Sequence, residues 1–106
     1  MTDESTVVEF GSGTGQFTVA AASHCQRLVA VDVSEVMLSA LRSKLARLAM
    51  SKVEVVQGGF LTYRHKGQPA DIVYSRYAPH HLPDFWKADA LSRITSILRP
   101  GGHFRL

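Results

Sequence analysis

Residues 7–22 read VVEFGSGTGQFTVAAA. A short apolar, β-branched run carrying Glu9 is stopped by glycine, the mark of a buried strand. Gly11, Gly13 and Gly15 follow at alternate positions, and then a stretch of small, helix-tolerant residues. Glycine permits positive φ and lets a ligand approach the backbone closely. A strand that turns through glycines into a helix is a device for holding a nucleotide. This one stretch commits the chain to an α/β fold and raises the question of which nucleotide.

The remainder continues the alternation. RLVAVDV (27–33) is a second continuous apolar strand. Ser34 can cap a helix running through SEVMLSALRSKLARLAM, where Met37, Leu41, Leu45 and Leu48 recur at helical spacing. KVEVVQ (52–57) and DIVYS (71–75) are the third and fourth strands, separated by the loop-like stretch 58–70. The first helix is expected over 16–24, with Phe17, Ala20 and Ala21 inward. Asp84 can open a helix to about Leu98, with Phe85, Ala88, Leu91, Ile94 and Leu98 inward, stopped by Pro100, Gly101 and Gly102. HFRL then begins a fifth strand. Strands without polar alternation, interleaved with helices, predict a doubly wound parallel sheet covered on both faces.

A chain of 106 residues makes one modest domain, here expected to span 1–106. Its apolar runs are far shorter than the ~20 residues that cross a bilayer, and MTDEST has no signal-peptide core. Cys25 is the single cysteine, so no intramolecular disulfide forms, which suits a cytoplasmic protein. The net charge is +3, but the twelve Lys and Arg are scattered and several (Arg42, Lys44, Arg47) share one expected helix. That basicity reads as a solvated helix face, and no nucleic-acid partner is expected.

Asp32 ends the second strand, 21 positions after Gly11. An acid there can accept hydrogen bonds from ribose hydroxyls. The pair of features fits NAD and S-adenosylmethionine equally. Two details separate them. The dinucleotide pattern wants its third glycine at position 16, where this chain has Gln16. Glu9, two residues before the first glycine, would repel a pyrophosphate but suits a ligand with an ammonium group and a sulfonium.

The successive segments VVEFGSGTGQFT, LVAVDVSEVML, VEVVQGGFL, DIVYSRYAPHHLPD and LRPGGHFRL together resemble the motifs of Rossmann-like S-adenosylmethionine-dependent methyltransferases. The likeness is to the small-molecule type that includes the ubiquinone and menaquinone biosynthesis enzymes. It covers nearly the whole chain, and it implies strand order 3-2-1-4-5 with two further strands beyond the five read here. A chain stopping at Leu106 is then expected to be a fragment, its last strand an unprotected edge.

The resemblance also implies roles. Gly11, Ser12, Gly13 and Gly15 would pack against the methionine part of the cofactor, with Glu9 at the acidic position. Asp32 would hold the ribose, and Val33 and Met37 would border the adenine, Met37 serving equally well as plain helix core. Gly59 stands where the family carries an acid for the adenine amino group; Phe60 would offer its backbone N–H and its ring. The lost bond corresponds to ~1.5–3 kcal/mol, so weak cofactor binding and little turnover are expected. Ser75 and Arg76 follow the fourth strand near the transferring methyl, and Asp71 opens that strand structurally. His80 and His81 either shape the pocket or supply a base. Two adjacent histidines make no metal pattern. Tyr77 and Trp86 flank the substrate loop, in packing or in stacking. SRYA, where base methylases carry an NPPY-type segment, points to a small-molecule acceptor. Two rival readings are an inactive cofactor-binding remnant, favoured by Gly59, and a nicotinamide oxidoreductase, disfavoured by Gln16 and Glu9.

Overall fold

A computed structural model of the chain describes residues 4–13, 15–50, 52–59, 62–75 and 84–105, the side chains of 84–88 apart. Its elements run β1 (Thr6–Phe10), α1 (Gln16–Ala22), β2 (Arg27–Asp32), α2 (Glu35–Arg47), β3 (Val53–Gln57), β4 (Ala70–Ser75), α3 (Asp84–Ile97) and β5 (Leu98–Arg105). All strand pairs are parallel, in the order β3-β2-β1-β4-β5. This is the expected doubly wound order. β1 lies at the centre with every residue buried. Strand order reverses beside it, so the crevice at its carboxyl end is where such sheets bind ligands.

Alternation along the strands divides the core between two faces. Val7, Leu28, Ala30 and Ile72 pack toward Leu41 and Leu45 of α2 and Ala21 of α1. Val8, Phe10, Val29 and Val73 pack on the other face against Ile94 and Ile97 of α3. Tyr63, from the stretch between β3 and β4, completes that second cluster. Its ring meets Phe10 edge-on at 5.8 Å and its hydroxyl lies 2.7 Å from Nδ1 of His65. Burial pushes the Tyr63 hydroxyl pKa up to about 12, so it stays neutral.

Several sequence expectations shift here. In α2 the buried stripe is Leu38, Leu41 and Leu45. Those three share one helix line, leaving Met37 and Leu48 at its margins, 39% and 49% exposed. In α1 the inward residues are Thr18, Ala21 and Ala22, while Ala20 faces solvent and the helix stops at Ala22. In α3 the inner line is Ala90, Ile94 and Ile97, which turns Leu91 outward. Phe85, Ala88 and Trp86 have side chains outside the described set.

The largest departure is at Pro100, Gly101 and Gly102. They do not close the helix; they lie inside β5. Ala70 pairs with Leu98 and Ile72 with His103, so Asp71 alone faces the four residues Arg99–Gly102. The bulge works because Gly101 takes φ 81° and Gly102 has no side chain. A Cβ on Gly102 would lie 3.0 Å from both the Asp71 and Arg99 carbonyl oxygens. Asp71 fastens the site of the shift. One carboxylate oxygen accepts from the Thr6 amide at 2.7 Å, the other from Arg99 Nε. The Thr6 amide, aided by the Arg99 guanidinium, holds the Asp71 carboxyl below the usual range.

Among the described residues, no helix is long and apolar enough to cross a membrane.

Candidate functional site

The turn after β1 uses the left-handed region at each of its three glycines: φ is 72° at Gly11, 54° at Gly13 and 87° at Gly15. Side chains rarely adopt that backbone. Gly15 is doubly constrained, since a Cβ there would overlap Leu41 Cδ1 of α2. Alternate glycines therefore let the chain leave the sheet and enter α1 while lying against α2.

The amides of Gly11, Ser12, Gly13 and Gly15 point into the protein. Gly11 and Ser12 both donate to the Val31 carbonyl, at 2.8 and 3.3 Å. Gly15 donates to the Ser12 carbonyl at 3.0 Å. Gly13 donates to Oδ2 of Asp32 at 2.9 Å. A phosphate cradle needs such amides turned toward the anion. Here all four are committed to protein acceptors.

Asp32 is buried at the end of β2, and its second oxygen accepts from the Ser34 amide at 3.0 Å. One carboxylate thus ties the glycine loop to the start of α2. The Ser34 hydroxyl caps that helix by accepting from the Met37 amide at 3.3 Å. Beside it, Val33 is 71% exposed and Met37 half-exposed, an apolar step at the carboxyl end of β2. Gly59 lies against this step: a Cβ on it would be 3.2 Å from Val33 Cγ1. Its own amide donates to the Thr62 hydroxyl at 2.9 Å.

Glu9 is 2% exposed. It points to the α1 face, in register with Ala30 of β2 and Tyr74 of β4. The Thr18 hydroxyl, from α1 above it, donates to Glu9 Oε1. Phe17 stacks on Tyr74 alongside, with ring centroids 4.1 Å apart and planes 11° from parallel. Ser12 is also buried, and its Oγ has no hydrogen-bond partner among the described residues. Ser75 is buried at the end of β4, opposite Phe10.

The structure thus gathers Glu9, Gly11, Ser12, Gly13, Gly15 and Asp32 at one carboxyl edge of the sheet. Val33, Met37, Gly59 and Ser75 stand at the ends of the flanking strands. Phe60, Arg76, Tyr77, His80 and His81 lie outside the described residues. Thr18 went unread in the sequence. The signal was there: a carboxylate at the buried end of a strand needs a donor, and Thr18 is the polar residue one helical turn past Gly15. A separate cleft of about 350 Å³ lies on the α3 face, bordered by Arg27, Glu54, Tyr63 and Lys66. The Arg27–Glu54 pair, 2.5 Å apart, occupies it far from the glycine loop.

Comparison with known proteins extends these observations. The family described as "Methyltransferase domain" matches residues 7–102. An uncharacterized methyltransferase of Geobacillus sp. (strain WCH70) is 35% identical over 97 residues, covering 92% of this chain and 44% of the relative. The crystal structure of YcgJ from Bacillus subtilis superimposes with TM-score 0.84 at 26% identity, covering 97% of this chain and 43% of that one. A proposed S-adenosyl-L-methionine-dependent methyltransferase from Methanococcus maripaludis gives TM-score 0.80 at 27% identity, covering 95% and 47%. The chain therefore spans less than half the length of these relatives.

Proposed function

The chain belongs to the methyltransferase domain family, and from that premise we propose that residues 1–106 form the cofactor-binding part of an S-adenosylmethionine-dependent methyltransferase acting on a small molecule. The observation that carries this reading is the Glu9 carboxylate, buried beneath a glycine loop whose Gly11, Ser12, Gly13 and Gly15 amides are all committed inward. Those four amides are not free to meet an anion, and the Glu9 carboxylate beneath them would repel one, which counts against a pyrophosphate. The site offers a cation a desolvated carboxylate, where attraction is stronger than in water. The Ser12 Oγ, without a partner among the described residues, fits a ligand group with its own polar atoms at the loop.

In this reading Glu9 holds the ammonium of the cofactor's methionine part. Asp32 receives the ribose while keeping the loop fastened through Gly13. Val33 and Met37 border the adenine, Phe60 keeps the adenine-binding role that the resemblance implies, and Gly59 contributes no acid. The bound cofactor supplies a methyl group already activated by its sulfonium. The protein's share is then alignment of the acceptor and exclusion of water. Ser75 lines the end of β4 nearest the acceptor. His80 and His81 shape the acceptor pocket or take a proton from an acceptor that must lose one. The small-molecule assignment rests on SRYA after β4.

Calorimetric titration with S-adenosylhomocysteine, with NAD in parallel, tests the reading. Saturable binding of the first alone is expected, weaker than micromolar because Gly59 leaves the adenine amino group unpaired. Binding of NAD, or of neither ligand by a chain shown to be folded, would sink the proposal. Micromolar or tighter affinity would overturn the role given to Gly59.

A further inference from the structure

Thr18 breaks a local rule. It is a β-branched, polar residue in the middle of a seven-residue helix of sequence QFTVAAA, at a position with 0% exposure. Alanine would favour the helix and the packing. Threonine in a helix commonly turns its hydroxyl back to the carbonyl four residues earlier. This one instead crosses to the sheet and donates to Glu9 Oε1. A local choice that costs helix propensity and buries a hydroxyl points to a function for that hydroxyl.

Its surroundings give the contact weight. Glu9 is nearly inaccessible to water, and the Phe17–Tyr74 stack stands at the neighbouring register position. In such a place a charge-assisted hydrogen bond is strong, and the Thr18 hydroxyl constrains the direction of Oε1. The Thr18 backbone is set by α1, whose first turn begins at Gly15 and therefore moves with the glycine loop.

We propose that Thr18 is a positioning residue: its hydroxyl fixes the Glu9 carboxylate in the orientation that recognises the ammonium group of the cofactor. The inference rests on the cofactor reading above. It predicts selectivity between two ligands that share the adenosine part. S-adenosylhomocysteine carries the amino-acid ammonium; 5′-methylthioadenosine lacks it.

The experiment is calorimetric titration of the whole chain and of Thr18→Val and Thr18→Ser with both ligands, with circular dichroism confirming that each variant is folded. Thr18→Val keeps the side chain's shape and removes the donor. It should weaken S-adenosylhomocysteine by about tenfold or more, the effect of one hydrogen bond to a charged group. The 5′-methylthioadenosine affinity should change by less than about twofold, a difference small against that same hydrogen-bond scale. Thr18→Ser should restore most of the loss. Equal weakening of both ligands would make Thr18 a packing residue and overturn the proposal, as would an unchanged S-adenosylhomocysteine affinity or a serine variant that fails to rescue. If the unaltered chain binds 5′-methylthioadenosine and S-adenosylhomocysteine equally, the ammonium role of Glu9 falls and Thr18's with it. Should it bind neither, the cofactor reading itself is refuted.

Discussion

Asp32 does two things with one carboxylate. It holds the Gly13 and Ser34 amides, and in the proposed function it also meets the ribose. Substitution by asparagine leaves at most one good acceptor for two amides, one buried and one part-buried. Asp32→Asn should therefore destabilise the ligand-free chain by about 1.5–3 kcal/mol, the scale of a hydrogen bond to a charged group. A thermal melt without ligand measures this; an unchanged midpoint would show that the carboxylate does not tie the loop. Gly59 makes the opposite prediction. Among the described residues a Cβ there is crowded only by Val33, whose side chain is 71% exposed and free to yield. Gly59→Asp should tighten S-adenosylhomocysteine by roughly tenfold to a hundredfold, by supplying a charged acceptor. No gain in affinity would mean that the adenine amino group lies elsewhere. At this scale the glycines and acids were legible in the sequence, because their spacing along β1 and β2 is local. Thr18 was legible only as a polar residue one turn past Gly15; its contact with Glu9 forms only once α1 folds back over the sheet.

Between elements, the revealing place is the junction of α3 and β5. A Pro-Gly-Gly run after an apolar helix reads as a helix stop, since each residue disfavours helix. Proline and glycine equally permit a bulge, and local sequence does not distinguish the two. What decides is the pairing of Ala70 with Leu98 and Ile72 with His103, a relation between distant segments. Gly102→Ala would force a Cβ against two carbonyl oxygens that are part of the backbone. The expected cost is about 1–3 kcal/mol, the usual range for overpacking. A melting midpoint equal to that of the unaltered chain would contradict the bulge. Asp71 adds a pH signature at the same place. Its folded pKa lies below the ordinary 3.8, so it stabilises the fold above that value and ceases to do so as pH falls through the folded value. Asp71→Asn should lower the midpoint at pH 7 by roughly 4–8 °C, corresponding to about 1 kcal/mol in a domain of this size. The difference should shrink below pH 4 and vanish in stronger acid, and a gap that stays constant with pH would show that the charge is not what matters. The α2 stripe is a milder case of the same limit. Periodicity marked an amphipathic helix, but rotation about its axis was set by how Leu38, Leu41 and Leu45 meet β2 and β3.

For the whole molecule, the alternation of apolar runs was enough to give a parallel sheet covered on both faces, but not the order of its strands. That order came from the resemblance, and the physical reason is that pairing between β1 and β4 joins residues more than sixty apart. The order matters because it sets β1 in the middle. Every residue of β1 is buried, Glu9 included, so the site shares its foundations with both halves of the core. A ligand held by Glu9, the glycine loop and Asp32 can bind only when β1, α1 and β2 are assembled. Binding must therefore stabilise the entire fold and not a local segment. At a hundred times its dissociation constant, S-adenosylhomocysteine should add about 2.7 kcal/mol. That corresponds to a rise of roughly 10–20 °C in the melting midpoint of a domain near this length. NAD at the same concentration should leave the midpoint where it was. If S-adenosylhomocysteine binds by calorimetry yet does not move the midpoint, it is binding equally well to unfolded chain, and a site built on the centre of the sheet would be the wrong account of it.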